Sequence, residues 1–268
     1  MRLVLACALC AAPLAAAAEF DHTHRAWNAL LEKHVVVAEG GESSRVDYAG
    51  FAADRGKLQT YLDALSALER PVFERWSRAE RLAFLINAYN AFTVELVLRN
   101  YPGLGSIRDL GNVVFASPWK KRFFTLLGEP QHLDGIEHGM IRAPGAYDEP
   151  RIHFAVNCAS IGCPMLREEA YVPARLDAQL EEQTARFLSD RSRNRYDAAR
   201  GVLEVSRIFD WYAKDFATGV GGIGSLGRFL ARYADALGAG AQARERIATG
   251  AVPVRFLDYD WRLNDIPR

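Results

Sequence analysis

Residues 77–100, SRAERLAFLINAYNAFTVELVLRN, hold the longest uninterrupted pattern in the chain, and the fold is read outward from them. The Ser77 hydroxyl can cap a helix while Glu80, three residues on, reaches back to complete a capping box. Tyr101-Pro102-Gly103 stops the run. Leu82, Leu85, Ile86, Tyr89 and Leu96 recur at helical spacing and predict a core stripe. Asn87 and Asn90 share another face with Ala83, Ala91 and Val94. Buried amides among small residues need hydrogen-bond partners elsewhere in the fold.

On the N-terminal side, helical periodicity runs from His22 to about Val36 and from Arg55 to Leu68, with Pro71 as a separator. On the C-terminal side, Arg122 to Leu127 reads as a strand and Gly128-Glu129-Pro130 as a turn. Asp134 then caps a short helix in which Glu137 completes a second capping box, His138 lies one turn inside and Arg142 closes the element. Arg151 to Cys158 alternates, with Ile152, Phe154, Val156 and Cys158 on one face and His153, Ala155 and Asn157 on the other, and predicts a strand. Pro173 opens a helix carrying Leu176, Leu180 and Phe187, and Arg195 to Val205 reads as a hairpin turning at Arg200-Gly201. Phe209 to Phe216 is helical, Gly219 to Gly224 a glycine-rich hinge, Leu226 to Leu237 a helix and Val252 to Leu257 an edge strand. The class expected is α+β: a helix-rich single domain around a small, mainly antiparallel sheet.

The first residues have a signal-peptide layout. Met1-Arg2 precedes an apolar and small-residue run from Leu3 to Ala18 that ends in three alanines before Glu19. The expectation is cleavage near Ala18, loss of Cys7 and Cys10 with the leader, a globular domain over residues 19–268, and a periplasmic or secreted protein. No later run reads as a membrane span. The 33 basic and 33 acidic residues balance, so net charge attracts neither nucleic acid nor an anionic membrane.

Only Cys158 and Cys163 remain after the leader, within Asn157-Cys-Ala-Ser-Ile-Gly-Cys-Pro164. Two cysteines in an oxidising compartment can be a disulfide. The competing reading is a functional thiol, which needs a base or a field of positive charge to ionise. His138 is the natural base, and Asn87, Asn90 or Glu137 could orient it. Each residue also has a bland role: Glu137 as a capping partner, Asn87 and Asn90 as bridges between backbone groups, Cys158 as a buried inert thiol. Cys158, Cys163, His138 and His153 carry zinc-type donors, but a four-residue gap between the cysteines is wide and His153 would face away from Cys158, so no metal is expected. No glycine-rich phosphate loop and no Gly-x-Ser-x-Gly elbow occur, and no cofactor is implied.

Five ordered segments resemble the domain-of-unknown-function 547 family: Phe84-Leu-Ile-Asn-Ala-Tyr-Asn90, Leu133-Asp-Gly-Ile-Glu-His138 with Arg142, Ile152 to Cys158 through Gly162-Cys-Pro164, Trp211-Tyr-Ala-Lys-Asp-Phe216, and Tyr259-Asp-Trp261. The resemblance covers nearly all of the chain after the leader. It implies that Asn87, Asn90, Glu137, His138, Arg142, Cys158 and Pro164 are motif positions. Plant members keep the first motif cysteine while the second is often serine, which implies that Cys158 is the working thiol. The family carries no settled reaction. Papain-like and transglutaminase-like hydrolases share only residue types with it, since the order here is Asn, His, Cys.

The function expected is a cysteine-dependent hydrolase or acyl transferase acting on an amide or thioester of a small molecule or peptide. Cys158 attacks, His138 moves the proton, and Asn87 or Glu137 orients the imidazole. The amides of the turn after Cys158 receive the oxyanion, and Asn90, Arg142 and Asn157 bind substrate. The alternatives are a non-enzymatic periplasmic binding or scaffold protein with a Cys158–Cys163 disulfide, and a thiol redox partner.

Overall fold

A computed structural model describes residues 19–111, 117–219 and 222–267; the signal-like leader and part of the Gly219–Gly224 run lie outside them. The first half is helical around one short hairpin: α1 (Arg25–His34), β1 (Val35–Val37), β2 (Ser44–Val46), α2 (Tyr48–Ala53), α3 (Arg55–Ser66), α4 (Arg70–Glu74) and α5 (Arg78–Leu98). A second hairpin pairs β3 (Phe124–Leu126) with β4 (Glu129–Gln131). Then come a π-helical segment, Gly135–Ile141, a 3-10 helix, Pro150–Phe154, and α6 (Leu176–Ser189). The last part contains β5 (Arg195–Asp197), β6 (Val202–Ser206), α7 (Ile208–Trp211), α8 (Leu226–Arg232), α9 (Ala241–Ala248) and β7 (Val254–Leu257). β5 and β6 are antiparallel, and β7 joins the outer side of β6 in parallel. The fold is α+β and helix-rich, with small antiparallel and mixed sheets.

α5 organises the larger hydrophobic cluster. Its capping box forms as its sequence indicates, with Ser77 N–H donating to Glu80 Oε2 at 2.7 Å and Glu80 N–H to Ser77 Oγ at 3.2 Å. Burial is not confined to a stripe: every residue from Leu82 to Leu98 is buried. By length and composition alone the helix could cross a membrane, but nearly all of its apolar window is buried inside the fold, as in a core helix, so it is no clear integral membrane segment. Here its apolar surface is covered by α2, α3, the π-helical segment and the 3-10 turn Pro173–Arg175.

A second cluster, rich in phenylalanine, gathers Phe154, Phe187, Phe209, Phe216 and Phe229. The two clusters meet at residues 150–158, and this segment is not the strand that its alternation predicts. Pro150 opens a 3-10 helix, with Glu149 accepting from Arg151 N–H at 3.1 Å. With three residues per turn the chain presents three faces instead of two. Ile152 and Ala155 enter the larger cluster, Phe154 enters the phenylalanine cluster, and His153 takes the direction between them.

Asn87 and Asn90 are both buried and spend their amides on backbone. Asn87 Nδ2 donates to Tyr171 O at 2.7 Å and its Oδ1 accepts from Tyr171 N–H at 3.1 Å. Asn90 Nδ2 donates to Ala155 O at 2.9 Å and its Oδ1 accepts from Asn157 N–H at 2.8 Å. Asn87, expected to orient the imidazole, and Asn90, expected to contact substrate, thus both have their amide groups bonded to backbone inside the core.

Asn87→Ala leaves a buried N–H and a buried C=O of Tyr171 unpaired, at about 1–3 kcal/mol each. The expected outcome is a loss on the order of 3 kcal/mol in chemical unfolding with no change in the pH midpoint of Cys158 alkylation. A displaced midpoint would give Asn87 a role in the site itself.

Candidate functional site

Cys158 is held in a tight turn that begins where the 3-10 helix ends. Asn157 staples it from within, its Nδ2 donating to Pro164 O at 2.7 Å and its Oδ1 accepting from Ala159 N–H at 3.0 Å. Asn157, also expected to contact substrate, is buried by these bonds. Ala159 has φ 62°, in the left-handed region, which costs a non-glycine residue about 1 kcal/mol. The C-terminal segment pays for part of this by threading alongside: Ile161 N–H donates to Arg262 O at 2.9 Å, Gly162 N–H to Asp260 O at 2.8 Å, and Asn264 N–H to Ala159 O at 3.2 Å. Gly162 is required by that approach, because a Cβ there would lie 2.9 Å from Asp260 N.

Of the turn's backbone amides, expected to receive an oxyanion, the Ser160 N–H bonds the Cys158 sulfur and the others bond elsewhere. Besides the three donors just described, Cys158 N–H points to Cys163 Sγ at 2.9 Å, and Cys163 N–H bonds Ser160 O at 3.1 Å. Two hydroxyls also lie at the sulfur: Ser160 Oγ is 3.2 Å and the Tyr259 hydroxyl 3.3 Å from Cys158 Sγ.

Cys158 and Cys163 are free thiols with opposite electrostatic character. The Cys163 thiol donates to the Cys158 sulfur, Ser160 and Tyr259 add further hydrogen bonds, and together they overcome burial and bring Cys158 down to about 7. Burial, reinforced by the neighbouring Cys158 sulfur, pushes Cys163 well above the usual thiol range.

Cys158 opens onto a cavity of ≈ 190 Å³ whose wall also includes Glu137, His138 and His153. The structure therefore brings Cys158, His138 and Glu137 to one place and leaves Asn87 and Asn90 in the core behind it. The π-helical segment makes this possible by turning the buried Glu137 inward and leaving the His138 side chain 41 % exposed at the rim. Its N-terminus is capped differently from the expectation: His132 Nδ1, and not Asp134, accepts from Gly135 N–H at 2.8 Å, and Glu137 is no capping partner. Glu137 hydrogen-bonds Tyr212 and lies 4.0 Å from His138 Nδ1. His138 Nδ1 itself accepts from Arg142.

Arg142 does not pair with Glu137 and does not reach out for a substrate carboxylate. Its Nε donates to Asp215 Oδ2 at 2.6 Å and its Nη2 to Asp215 Oδ1 at 3.2 Å, and its guanidinium lies over the Tyr212 ring at 4.6 Å. The same carboxylate holds His153, with Nε2 2.8 Å from Asp215 Oδ2 and the imidazole stacked on Tyr212 at 3.9 Å. Burial opposes ionisation of Asp215, but the bonds from His153 and Arg142 hold it well below the ordinary carboxylate range. Burial pushes His153 below its ordinary value despite Asp215. A neutral His153 donating Nε2–H to an ionised Asp215 keeps the lone pair on Nδ1. His153 thus shares a cavity with Cys158, contrary to the opposite-face placement drawn from a strand.

Sequence reasoning assigned no role to His153, Asp215, Tyr212 or Tyr259. The last three lie in the Trp211–Phe216 and Tyr259–Trp261 motifs, where a lone carboxylate among aromatic residues was the available signal. Among the described residues, no three His, Cys, Asp or Glu side chains are grouped to hold a metal ion.

Alkylation of Cys158 by iodoacetamide, followed by peptide mass mapping, is expected to rise with a midpoint near pH 7. Cys163→Ala removes the leading donor and moves that midpoint upward; an unchanged midpoint would show that Cys163 does not support the thiolate.

No curated protein and no solved structure matches the chain significantly. Residues 73–188, from the end of α4 through α6 and including α5, the π-helical segment and the Cys158 turn, match the family described as Protein of unknown function, DUF547, and it is this family that the chain resembles.

Proposed function

We propose that the protein is exported, loses its leader near Ala18, folds over residues 19–268 as one unit, and acts in the periplasm or outside the cell as a cysteine-dependent hydrolase or acyl transferase. The observation that carries this reading is the Cys158 sulfur, bonded by Ser160 and Tyr259 at the wall of a cavity that also contains two imidazoles. A thiol brought down to about 7 is substantially ionised at neutral pH, when an unperturbed one is a few per cent ionised.

In this reading the Cys158 thiolate attacks the carbonyl carbon of an amide or thioester of a small molecule or peptide. The carbonyl π electrons move onto oxygen, where the Tyr259 and Ser160 hydroxyls donate in the place first given to backbone amides. Collapse of the adduct forms an acyl–Cys158 thioester and expels the amine or thiol, which takes the proton that the imidazole accepted from the Cys158 thiol when the thiolate formed. Water or an acceptor nucleophile then attacks the thioester, surrenders its proton to the imidazole and releases Cys158. His153, with Nδ1 unprotonated and Nε2 fixed on Asp215, fits this proton shuttle better than His138, whose Nδ1 already faces Arg142. His138 and Glu137 then shape and polarise the cavity mouth.

A second reading, a thiol redox partner, is favoured by one feature: an accessible low-pKa thiol backed by a buried high-pKa thiol is the asymmetry that dithiol exchange uses. One experiment separates the two. The protein is incubated with a panel of acyl thioesters and aminoacyl coumarin amides, and intact mass is followed. The hydrolase reading expects acylation that disappears in Cys158→Ala, and turnover reduced about 10²- to 10⁴-fold in His153→Gln. Absence of acylation together with a Cys158–Cys163 disulfide in glutathione buffers would replace it by the redox reading.

A further inference from the structure

Four aromatic rings form a continuous wall at the mouth of the Cys158 cavity. Trp211 stacks on Trp261 with centroids 5.7 Å apart, Tyr259 lies 4.9 Å from Trp211 and 4.5 Å from Trp261, and Trp119 meets Trp261 edge-on at 6.0 Å. Trp211 is 44 % exposed, an uncommon position for an indole in a folded protein. The cavity lining also includes the carboxylates of Asp134 and Glu137 and the imidazoles of His138 and His153. No lysine or arginine is among the described lining residues.

Both kinds of wall favour the same ligand charge. Aromatic faces carry negative quadrupole potential, and carboxylates in a recess focus it. Two of the lining rings already meet a cation: Arg108 lies over Trp261 at 5.0 Å and Arg142 over Tyr212 at 4.6 Å. The Arg142 charge is compensated by its paired bonds to Asp215. Arg108 is exposed and is not among the residues that line the cavity.

We infer that the cavity accepts substrates bearing a cationic amine, a primary or methylated ammonium group held by the aromatic wall and by Asp134 and Glu137, and discriminates against anionic ones. The inference rests on the reading of Cys158 as a cavity nucleophile and supplies its substrate class. An acyl donor with an ammonium group a few bonds from its carbonyl would place the cation on the rings while the carbonyl carbon meets the sulfur.

The test needs no turnover. In a Cys163→Ser background, Cys158 is modified by 2-(trimethylammonium)ethyl methanethiosulfonate and by its anionic 2-sulfonatoethyl counterpart. In each case the thiolate displaces methanesulfinate to form a mixed disulfide, read by peptide mass mapping. The expected ratio of cationic to anionic rates is at least tenfold above that for 2-mercaptoethanol in the same buffer. It falls severalfold in Asp134→Asn, in Glu137→Gln and in Trp211→Ala; the partly exposed sites of the first and last keep the test usable should Glu137→Gln misfold. A ratio equal to that of the reference thiol would overturn the inference while leaving a reactive Cys158 intact. If Cys158 reacts with neither reagent, the nucleophile reading fails, and tryptophan fluorescence then decides the cation site. Saturable quenching by tetramethylammonium but not by tert-butanol, lost in Trp211→Ala, supports it; no saturable quenching overturns it.

Discussion

One buried carboxamide joins the scaffold to the chemistry. Asn90, on the helix Arg78–Leu98, takes Ala155 O and Asn157 N–H in a pair of bonds at 2.9 and 2.8 Å, and so fixes the end of the 3-10 helix against the most deeply buried element of the fold. An apolar residue there would leave two backbone groups without partners in a place water does not reach. The position of the Cys158 sulfur relative to the cavity follows from this attachment, because Asn157 in turn holds Ala159 and Pro164.

The electrostatic character of the thiol then comes from hydrogen bonds and not from a nearby cation. Among the described residues no lysine or arginine is hydrogen-bonded to the sulfur; Cys163, Ser160 and Tyr259 supply the stabilisation. Two guanidinium groups of the region are engaged with acids: Arg142 with Asp215, and Arg262 with Asp260. Lowering a thiol pKa with neutral donors keeps the cavity free of positive charge, and this is what allows its aromatic and acidic walls to set the preference for ligand charge.

The scaffold was largely legible in the sequence. A capping box, a clean helical stripe and a Tyr-Pro-Gly stop delimit the central helix, and Arg200-Gly201 marks the turn of the Arg195–Ser206 hairpin, where Gly201 has φ 64°. The segment 151–158 was misread for a definite reason. Alternating Ile152, Phe154 and Val156 satisfy a two-residue period, but they serve two hydrophobic clusters on a backbone with a three-residue period, and only tertiary packing distinguishes the cases. Cys158, His138 and Glu137 were identifiable by residue type. The His153–Asp215 pair, separated by 62 positions, and Tyr259, 101 positions from Cys158, meet their partners only through the fold.

The distance along the chain between Cys158 and Tyr259 also imposes an order of events. A polypeptide emerging from a ribosome or a translocation channel N-terminus first presents the cysteine long before the phenol, and the strand-like docking of residues 260–264 beside Gly162 has to precede contact between the two. Until that closure the sulfur lacks the Tyr259 hydroxyl, one of the hydrogen-bond donors that favour its ionised form, so the unfolded chain carries Cys158 as an ordinary thiol.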